Sequence, residues 1–527
     1  MIQVFIAAQA SEKLFDQSFQ QTWKKIYDGD PSATVFQHPD YLNRWYSLYN
    51  TYQPLIFAAT VNGEITELMF LAIQGDEIVG AGHHQAEYQT TLSLEKNKIP
   101  FLTDCIRWII KTQPEKKFTL KYIPHNLNIQ ELKNHPDIRM NIHLKEYSEP
   151  VIRLNAEHLK TELNKKNRRE KLNRLKKIGN LNFERITDAA IFRQHLDQLT
   201  IDYDFRQAAM FGTAFFQEDR NKKEFMLHLF DSGLLYVTAL FSNQTIIAAN
   251  ASTFDKSITY LQGFNTHHPV FAKYSPGILS FLMSALQMEQ DGQKEFDLTP
   301  GSVDDYKGDL ATDFYKTWSL EAGSKTYILK EKFKSTIKSS AKKITKAEFT
   351  LRIKNWTHKF LADGNRKTLS ENAENPADEP LLKFTDFSLA HSVTENPVDL
   401  YATVSAPDKL GDLLQYQPQG GQPSKQKFLF DAMKRMEYGQ HIYTLSVNSK
   451  LAGYLWHIPA GAKLILPAGE KSEKDYCFFH LFDKQQNKPF EDFLVHTIRN
   501  LNPSPSVRMN DTTMKLFADL MDKLNHA

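Results

Sequence analysis

One order of elements recurs three times along the 527 residues, and it limits the fold more than any single motif does. Each time, helical sequence leads into a hairpin of two strand-like runs, then a third strand, another helix and a closing strand. In the first stretch "VFQHPDYLNRWYSLY" reads as a helix after a proline, with Trp45 and Tyr49 one turn apart on the same side. "PLIFAATVNGEITELMFLAIQ" folds back at Asn62-Gly63, a dipeptide of tight hairpin turns. "EIVGAG", the helix "FLTDCIRWIIKT" and the strand "KFTLKYIP" complete that unit. In the second stretch "FRQHLDQLTIDYDFRQ" and "EFMLHLFDSG" are helices, and "LLYVTALFSNQTIIAANASTF" turns near Asn243. The strand "SITYLQGFN", a helix from Ser275 and the strand "EFDL" follow. In the third, "HIYTLSVNSKLAGYLWHIPAG" turns at Asn448-Ser449. The strand "DYCFFHLF", the helix "PFEDFLVHTIRNL", the strand "SVRMN" and the helix "TMKLFADLMDKL" end the chain.

This mixture predicts an α+β fold of like units with mixed sheets flanked by helices. The expected divisions are 1–150 and 151–345, a basic segment and polar linker over 346–384, and a C-terminal unit over 385–527. The linker rests on "DGNRKTLSENAENPADEP", which has nothing to bury. Composition removes several classes. A net charge of +2 creates no global attraction for nucleic acid or membrane. The two cysteines, Cys105 and Cys477, make neither a disulfide framework nor a zinc cluster, so no metal is expected. No run approaches the roughly 18 apolar residues of a membrane span. "MIQVFIAAQASEK" lacks the basic leader of a signal peptide. The expectation is a cytoplasmic protein.

The chemistry concentrates at "KYSPGILSFLMSALQMEQDGQKEFDLTPG". A helix start leaves N–H groups unpaired and carries partial positive charge. Lys273 adds a full charge, Ser275 reads as the N-cap, Pro276 suits the first turn and Gly277 keeps side chains away. Together they suit a phosphate or pyrophosphate; ordinary capping grammar explains them as well. Gly263 marks a possible bulge in the preceding strand. Asp297 ends an apolar strand beside this helix, as a base of raised pKa or as a cap of "TPGSVDDY". His267-His268 and His83-His84 sit in loops. The basic helix from Lys165 to Lys177 has one acid, Glu170, and a narrow stripe of Leu172, Leu175 and Ile178. It is a solvated face or an attraction for an anion.

The order strand, phosphate turn, helix, strand resembles the acetyl-CoA-binding half of the GNAT acyltransferase fold. The segment 274–311, with Phe296-Asp297, Gly301 and Tyr306-Lys307, is similar to the CelD-like acetyltransferase 6 group, tandem-GNAT relatives of the Fem peptidyltransferases. "LNKKNRREKLNRLKKIG" is similar to that group's basic helix and "FQHPDYLNRWYSLY" to its N-terminal helix, so the resemblance covers about residues 30 to 340. Two departures stand out. Pro276 occupies the first glycine position of the usual phosphate turn, and Glu87-Tyr88 replaces an Asp-Tyr pair. The resemblance implies tandem GNAT-like domains, with the C-terminal unit, which lacks a Gly-rich turn, as a degenerate third. It implies transfer of an acyl group, most simply acetyl from acetyl-CoA, to an amine or hydroxyl of a sugar or cell-envelope precursor. Asp297, Tyr306 and Lys307 would be catalytic. Gly263, Phe264, Lys273, Tyr274, Ser275 and Gly277 would hold the acyl-CoA, and Glu87, Tyr88 and Arg168 the acceptor. The site is expected between residues 1–150 and 151–345. Two other readings follow the same relatives: an aminoacyl-tRNA-dependent Fem-like transferase, and a non-catalytic GNAT-like binding module. No coiled-coil insertion of the Fem kind is seen.

Overall fold

All three hairpins turn where the sequence places them, through left-handed backbone at Asn62 and Gly63, at Asn243, and at Asn448 and Ser449. A computed structural model describes residues 2–95, 98–301, 306–334, 385–387, 407–419, 422–463, 472, 475–482, 489–490, 493–494, 496–497, 500–501 and 506–509. The expected segment 346–384 and the helix "TMKLFADLMDKL" lie outside the described residues.

The first half contains β1 (Ile2–Ile6), α1 (Ala8–Phe15), α2 (Gln17–Gly29), α3 (Pro39–Leu48), β2 (Gln53–Val61), β3 (Glu64–Gln74), β4 (Glu77–Gly80), β5 (Leu92–Ser93), α4 (Ile99–Thr112), β6 (Lys117–Ile123) and β7 (Ile142–Arg153). The second half begins with α5 (Ala156–Leu163), α6 (Lys166–Ile178), β8 (Leu181–Ile186), α7 (Ala189–Phe211), α8 (Phe215–Glu218) and α9 (Asn221–Asp231). It continues with β9 (Leu235–Ser242), β10 (Thr245–Asp255), β11 (Ile258–His267), α10 (Pro276–Gln290), β12 (Glu295–Asp297), α11 (Tyr306–Leu310) and β13 (Asp313–Ala322). The C-terminal part adds β14 (Thr385–Phe387), α12 (Leu410–Leu413), α13 (Lys425–Glu437), β15 (His441–Val447), β16 (Lys450–Ile458), β17 (Tyr476–Leu481) and β18 (Ser506–Met509).

Each half builds an antiparallel three-strand meander, crosses over with a helix, and returns parallel to the third strand. In the first half the meander is β2-β3-β4 and β6 pairs parallel with β4. In the second it is β9-β10-β11, with β12 parallel to β11. The halves then exchange strands. β7 leaves the first half and pairs with β12, whereas β13 leaves the second and pairs with β6, and β7 and β13 pair with each other. The result is one continuous sheet of order β1-β2-β3-β4-β6-β13-β7-β12-β11-β10-β9-β8, with β5 on β3. Residue 150 lies inside β7.

The cores follow from this. On one face α2, α3, α7 and α9 share a single core across both halves, with Trp23, Trp45, Phe192 and Phe225 buried. On the other face α4 covers the first half and α10 the second. The C-terminal sheet repeats the local scheme: β15-β16-β17 is an antiparallel meander and β18 runs parallel to β17. It docks on α7, where Phe205, Ala208 and Ala209 pack with Leu410, Leu413, Leu429 and Met433. Burying such side chains contributes about 1.5–3 kcal/mol each for the large ones, so α7 belongs to two cores.

Candidate functional site

β11 and β12 are hydrogen-bonded only from Ile258 to Tyr260 and from Glu295 to Asp297. Beyond that β12 ends while β11 continues to His267, and the two part. Opposite Ala251 and Ser252 of β10, β11 advances from Leu261 to Phe264, so Gln262 and Gly263 form a bulge at the point of parting. A bulge disrupts the ladder locally and re-aims the backbone, and it falls here where β11 and β12 stop pairing. The buried Gln262 Nε2 and Asn265 Oδ1 have no hydrogen-bond partner.

α10 starts at the mouth of this gap. Ser275 precedes it in left-handed conformation, with φ of 52° and no side-chain cap. Here the expected N-cap role is corrected. The Ser275 hydroxyl instead accepts from Lys171 Nζ of the basic helix α6 at 2.7 Å. A non-glycine residue held with positive φ is a strained geometry that surrounding contacts over-determine, as at ligand-binding turns. As at any helix start, the Gly277 and Ile278 N–H groups have no intrahelical acceptor. Gly277 is needed for space: a Cβ there would lie 2.9 Å from His267 Nδ1.

A cavity of about 1200 Å³ opens in front of this helix start. Asn265, His267, Lys273, Ser275, Gly277 and Lys307 line it on one side, and Arg206, Gln207 and Phe211 of α7 beside them. A smaller adjoining cavity of about 200 Å³ shares Ser275 and is lined by Arg168 and Lys171. Both therefore surround an unusually cationic helix start. The opposite wall of the large cavity is made by the C-terminal part. This cavity therefore does not coincide with the location expected from sequence, between residues 1–150 and 151–345. A pocket of about 540 Å³ does lie between those halves, lined by Trp45, Tyr49, Tyr52, His83, His84 and Asp219.

The corresponding gap in the first half is filled. Beyond the β4–β6 pairing, Gln89 acts as a strut: its Nε2 donates to Gly80 O at 3.2 Å, and its Oε1 accepts from Lys121 N at 2.7 Å. Its own N–H donates to Tyr122 O. Lys98, immediately before α4, is buried and ion-paired with buried Asp30 at 2.5 Å. Where the second half leaves room for an anion, the first supplies its own side chains.

The residues singled out from sequence separate into groups. Lys273, Ser275, Gly277 and Lys307 meet at the cavity. Lys273 Nζ lies 5.2 Å from the Tyr274 ring centre. Lys307 Nζ donates to Thr299 Oγ1 at 3.2 Å. Phe264 is not at the cavity: it is buried on the other face and stacks on Tyr203 with ring centres 5.1 Å apart. Asp297 is buried and lines no described pocket. Its Oδ2 accepts from Tyr88 Oη at 2.6 Å, so two residues chosen from different halves meet at the seam. Its Oδ1 accepts from Thr299 N at 2.7 Å, the turn-capping alternative realised. Burial, and then the nearby Glu149, hold the Asp297 carboxyl well above the usual range. Glu87 pairs with Lys121 at 2.7 Å, and Arg168 with Glu162. Tyr306 begins α11, and Gly263 lies in the bulge.

Sequence reasoning missed Arg206 and Asn265, had Lys171 only as one of the basic-helix cations, and weighed His267 mainly as a loop residue. His267 ends β11, with Arg206 Nη1 2.8 and 2.9 Å from its ring nitrogens. Burial first, then the Arg206 charge, lower its pKa from 6.5 to about 3. The ring is therefore neutral at physiological pH. The unfolded chain takes up this proton more readily than the folded one. The stability held by the neutral ring is fully present above pH 6.5 and is lost as pH falls toward 3, by about 1.4 kcal/mol per pH unit. His267→Gln is expected to flatten the dependence of the urea midpoint between pH 6.5 and 4.5; an unchanged slope would refute the assignment.

Residues 164–308 match the family model described as "Acetyltransferase (GNAT) domain". This segment is a GNAT acetyltransferase domain. It runs from α6 through α10 and β12 to α11, so it contains the bulge, the gap and the helix start just described. The chain accordingly carries an acyltransferase domain within an α+β GNAT-type architecture. No curated protein matches the chain. Among solved structures it is similar to a conserved protein of unknown function from Bacteroides thetaiotaomicron, at 12% identity over 57% of this chain and 97% of that one, TM-score 0.40. It is also similar to FemX, at 11% identity over 59% and 97%, TM-score 0.42. A tandem GNAT protein from the clavulanic acid biosynthesis pathway matches at 10% identity over 62% and 99%, TM-score 0.35. Among the described residues no helix is long and apolar enough to cross a membrane.

Proposed function

We propose that the chain transfers an acyl group, acetyl in the simplest case, from acyl-CoA to an amine or hydroxyl acceptor, with the donor held in the gap between β11 and β12. One observation carries this reading: within the matched GNAT segment, a cavity of about 1200 Å³ lined by the end of β11 opens in front of a helix start that has Lys171, Lys273 and Lys307 beside it. The pyrophosphate would rest on the Gly277 and Ile278 amides and these lysines. The thioester would lie at the Gln262–Gly263 bulge, whose backbone N–H groups would polarise its carbonyl. Attack by the acceptor forms the new acyl bond and breaks the bond to sulfur. The acceptor's proton would go to Asp297 through the Tyr88 hydroxyl, at the foot of the gap where Asp297 is in register with Tyr260. A carboxyl with a raised pKa is the stronger base when ionised. Tyr306 would return a proton to the CoA thiolate.

On the resemblance alone we take the acceptor to be a sugar or cell-envelope precursor and the setting to be the cytoplasm. We take the C-terminal sheet, on its matching strand pairing, as a degenerate third unit. Titration calorimetry with acetyl-CoA tests the donor reading. One equivalent per chain is expected, because Gln89 and the Asp30–Lys98 pair fill the first gap. Lys273→Ala is expected to weaken binding about tenfold or more, the loss of a charge-assisted hydrogen bond of about 1.5–3 kcal/mol. Asp297→Asn is expected to bind like the wild type but to lose turnover. Absence of binding by the wild type at millimolar acetyl-CoA would end the reading.

A further inference from the structure

The wall facing α10 across the cavity belongs to neither half of the large sheet. It consists of Glu437, Tyr438 and Gly439 at the end of α13, and Pro459 to Lys463 after β16. Two left-handed glycines shape it, Gly439 and Gly461, each with φ of 84°. The two turns are tied together: Lys463 N donates to Tyr438 O at 3.0 Å, and Gln440 Nε2 to Lys463 O at 2.8 Å. The wall approaches the helix start closely, since a Cβ on Gly439 would lie 3.8 Å from Lys273 Nζ. The core between α7 and α12–α13 holds it in place.

Each wall presents a lysine to the cavity, and the C-terminal wall adds the Tyr438 ring, whereas Tyr274 packs against the core around Leu175 and Leu279. On one, Lys273 Nζ lies 5.2 Å from the Tyr274 ring centre; on the other, Lys463 Nζ lies 5.9 Å from that of Tyr438. Glu437 also faces the cavity, but it is paired with Lys434 at 2.7 Å, so its charge is already countered.

We propose that the C-terminal part completes the donor site by binding the nucleotide end of CoA, with Lys463 on a phosphate and the Tyr438 ring against the base. This rests on the acyl-CoA reading above. With the thioester at the bulge and the pyrophosphate at the start of α10, the nucleotide extends away from the sheet. The wall across the cavity is then the surface it meets. A phosphate between two lysines on facing walls forms charge-assisted contacts to both, and the Tyr438 ring beside Lys463 gives a purine a stacking surface. An uncharged acceptor would leave both cations unused.

The test compares acetyl-CoA with acetyl-pantetheine, which has the thioester but no nucleotide, by titration calorimetry on the full chain. Lys463 is exposed and only its backbone holds the turn, so Lys463→Ala is expected to keep the wild-type melting curve. It is expected to weaken acetyl-CoA about tenfold and to leave acetyl-pantetheine unchanged, with Lys463→Arg restoring most of the loss. Acetyl-CoA affinity within twofold of wild type in Lys463→Ala would overturn the proposal while leaving the donor reading intact. Equal weakening of both ligands would overturn it too, since the wall would then act on the pantetheine arm. Failure of the wild type to bind acetyl-CoA would remove the donor reading and this inference with it.

Discussion

Lys98→Ala is expected to destabilise the folded chain by about 3–5 kcal/mol, a large share of a typical domain's stability. Lys98 and Asp30 are buried together, with side chains 5% and 1% exposed. Asp30 also accepts from Ser93 N at 3.0 Å and from Ser32 Oγ at 2.8 Å, and Lys98 Nζ donates to Thr91 O at 3.1 Å. Removing the ammonium leaves a carboxylate in a low-dielectric setting without its counter-charge. The deletion therefore costs far more than an exposed pair, which is worth about 0–1 kcal/mol. Replacing both partners by apolar residues, as in Lys98→Met with Asp30→Leu, is expected to recover most of the loss, because no lone charge then remains. Urea unfolding of the two variants checks this. A single variant within 1 kcal/mol of wild type would show that water reaches Asp30. The pair also stands immediately before α4, at the place where the second half leaves an open helix start.

The local parts of this architecture were legible because local rules set them. Asn62-Gly63 and Asn448-Ser449 can hold the positive φ that a tight hairpin needs, and the turns form there. The α10 start was also legible as a place. Its details were not, since nothing in "KYSPG" says that Ser275 turns left-handed and gives its hydroxyl to a lysine 104 residues earlier. The strand exchange was missed altogether. "DFYKTWSLEA" does carry a signal: Leu320 and Ala322 alternate into the core behind half-buried Trp318. Yet its partners are β6 and β7, and no local pattern names a partner from the other half. Asp297 and Tyr88 were each chosen, but a contact between residues 209 apart is a tertiary fact. The cavity itself exists only because α12 and α13 dock on α7, which brings unremarkable turn residues such as Gly461 and Lys463 opposite the start of α10.

Gly277→Val is expected to abolish donor binding while leaving the chain folded. At saturating ligand, say one hundred times the dissociation constant, binding stabilises the native state by about 2.7 kcal/mol. That increment should vanish in the variant. The cause is steric. Gly277 has ordinary helical backbone, so a side chain is compatible with α10 and is favoured over glycine by about 1 kcal/mol for alanine. Space is what the site lacks. The first added carbon would meet His267 Nδ1 at 2.9 Å, and the ring, held between that point and Arg206, has nowhere apolar to go. Valine therefore drives the imidazole into the cavity or fills the mouth with its own methyl groups, and overpacking of this kind costs about 1–3 kcal/mol. Gly277→Ala, with one carbon, should retain part of the ligand-induced shift. Thermal unfolding with and without acetyl-CoA measures both effects. A full shift in Gly277→Val would mean that the donor never approaches this helix start, and that the lysines around it answer to some other anion.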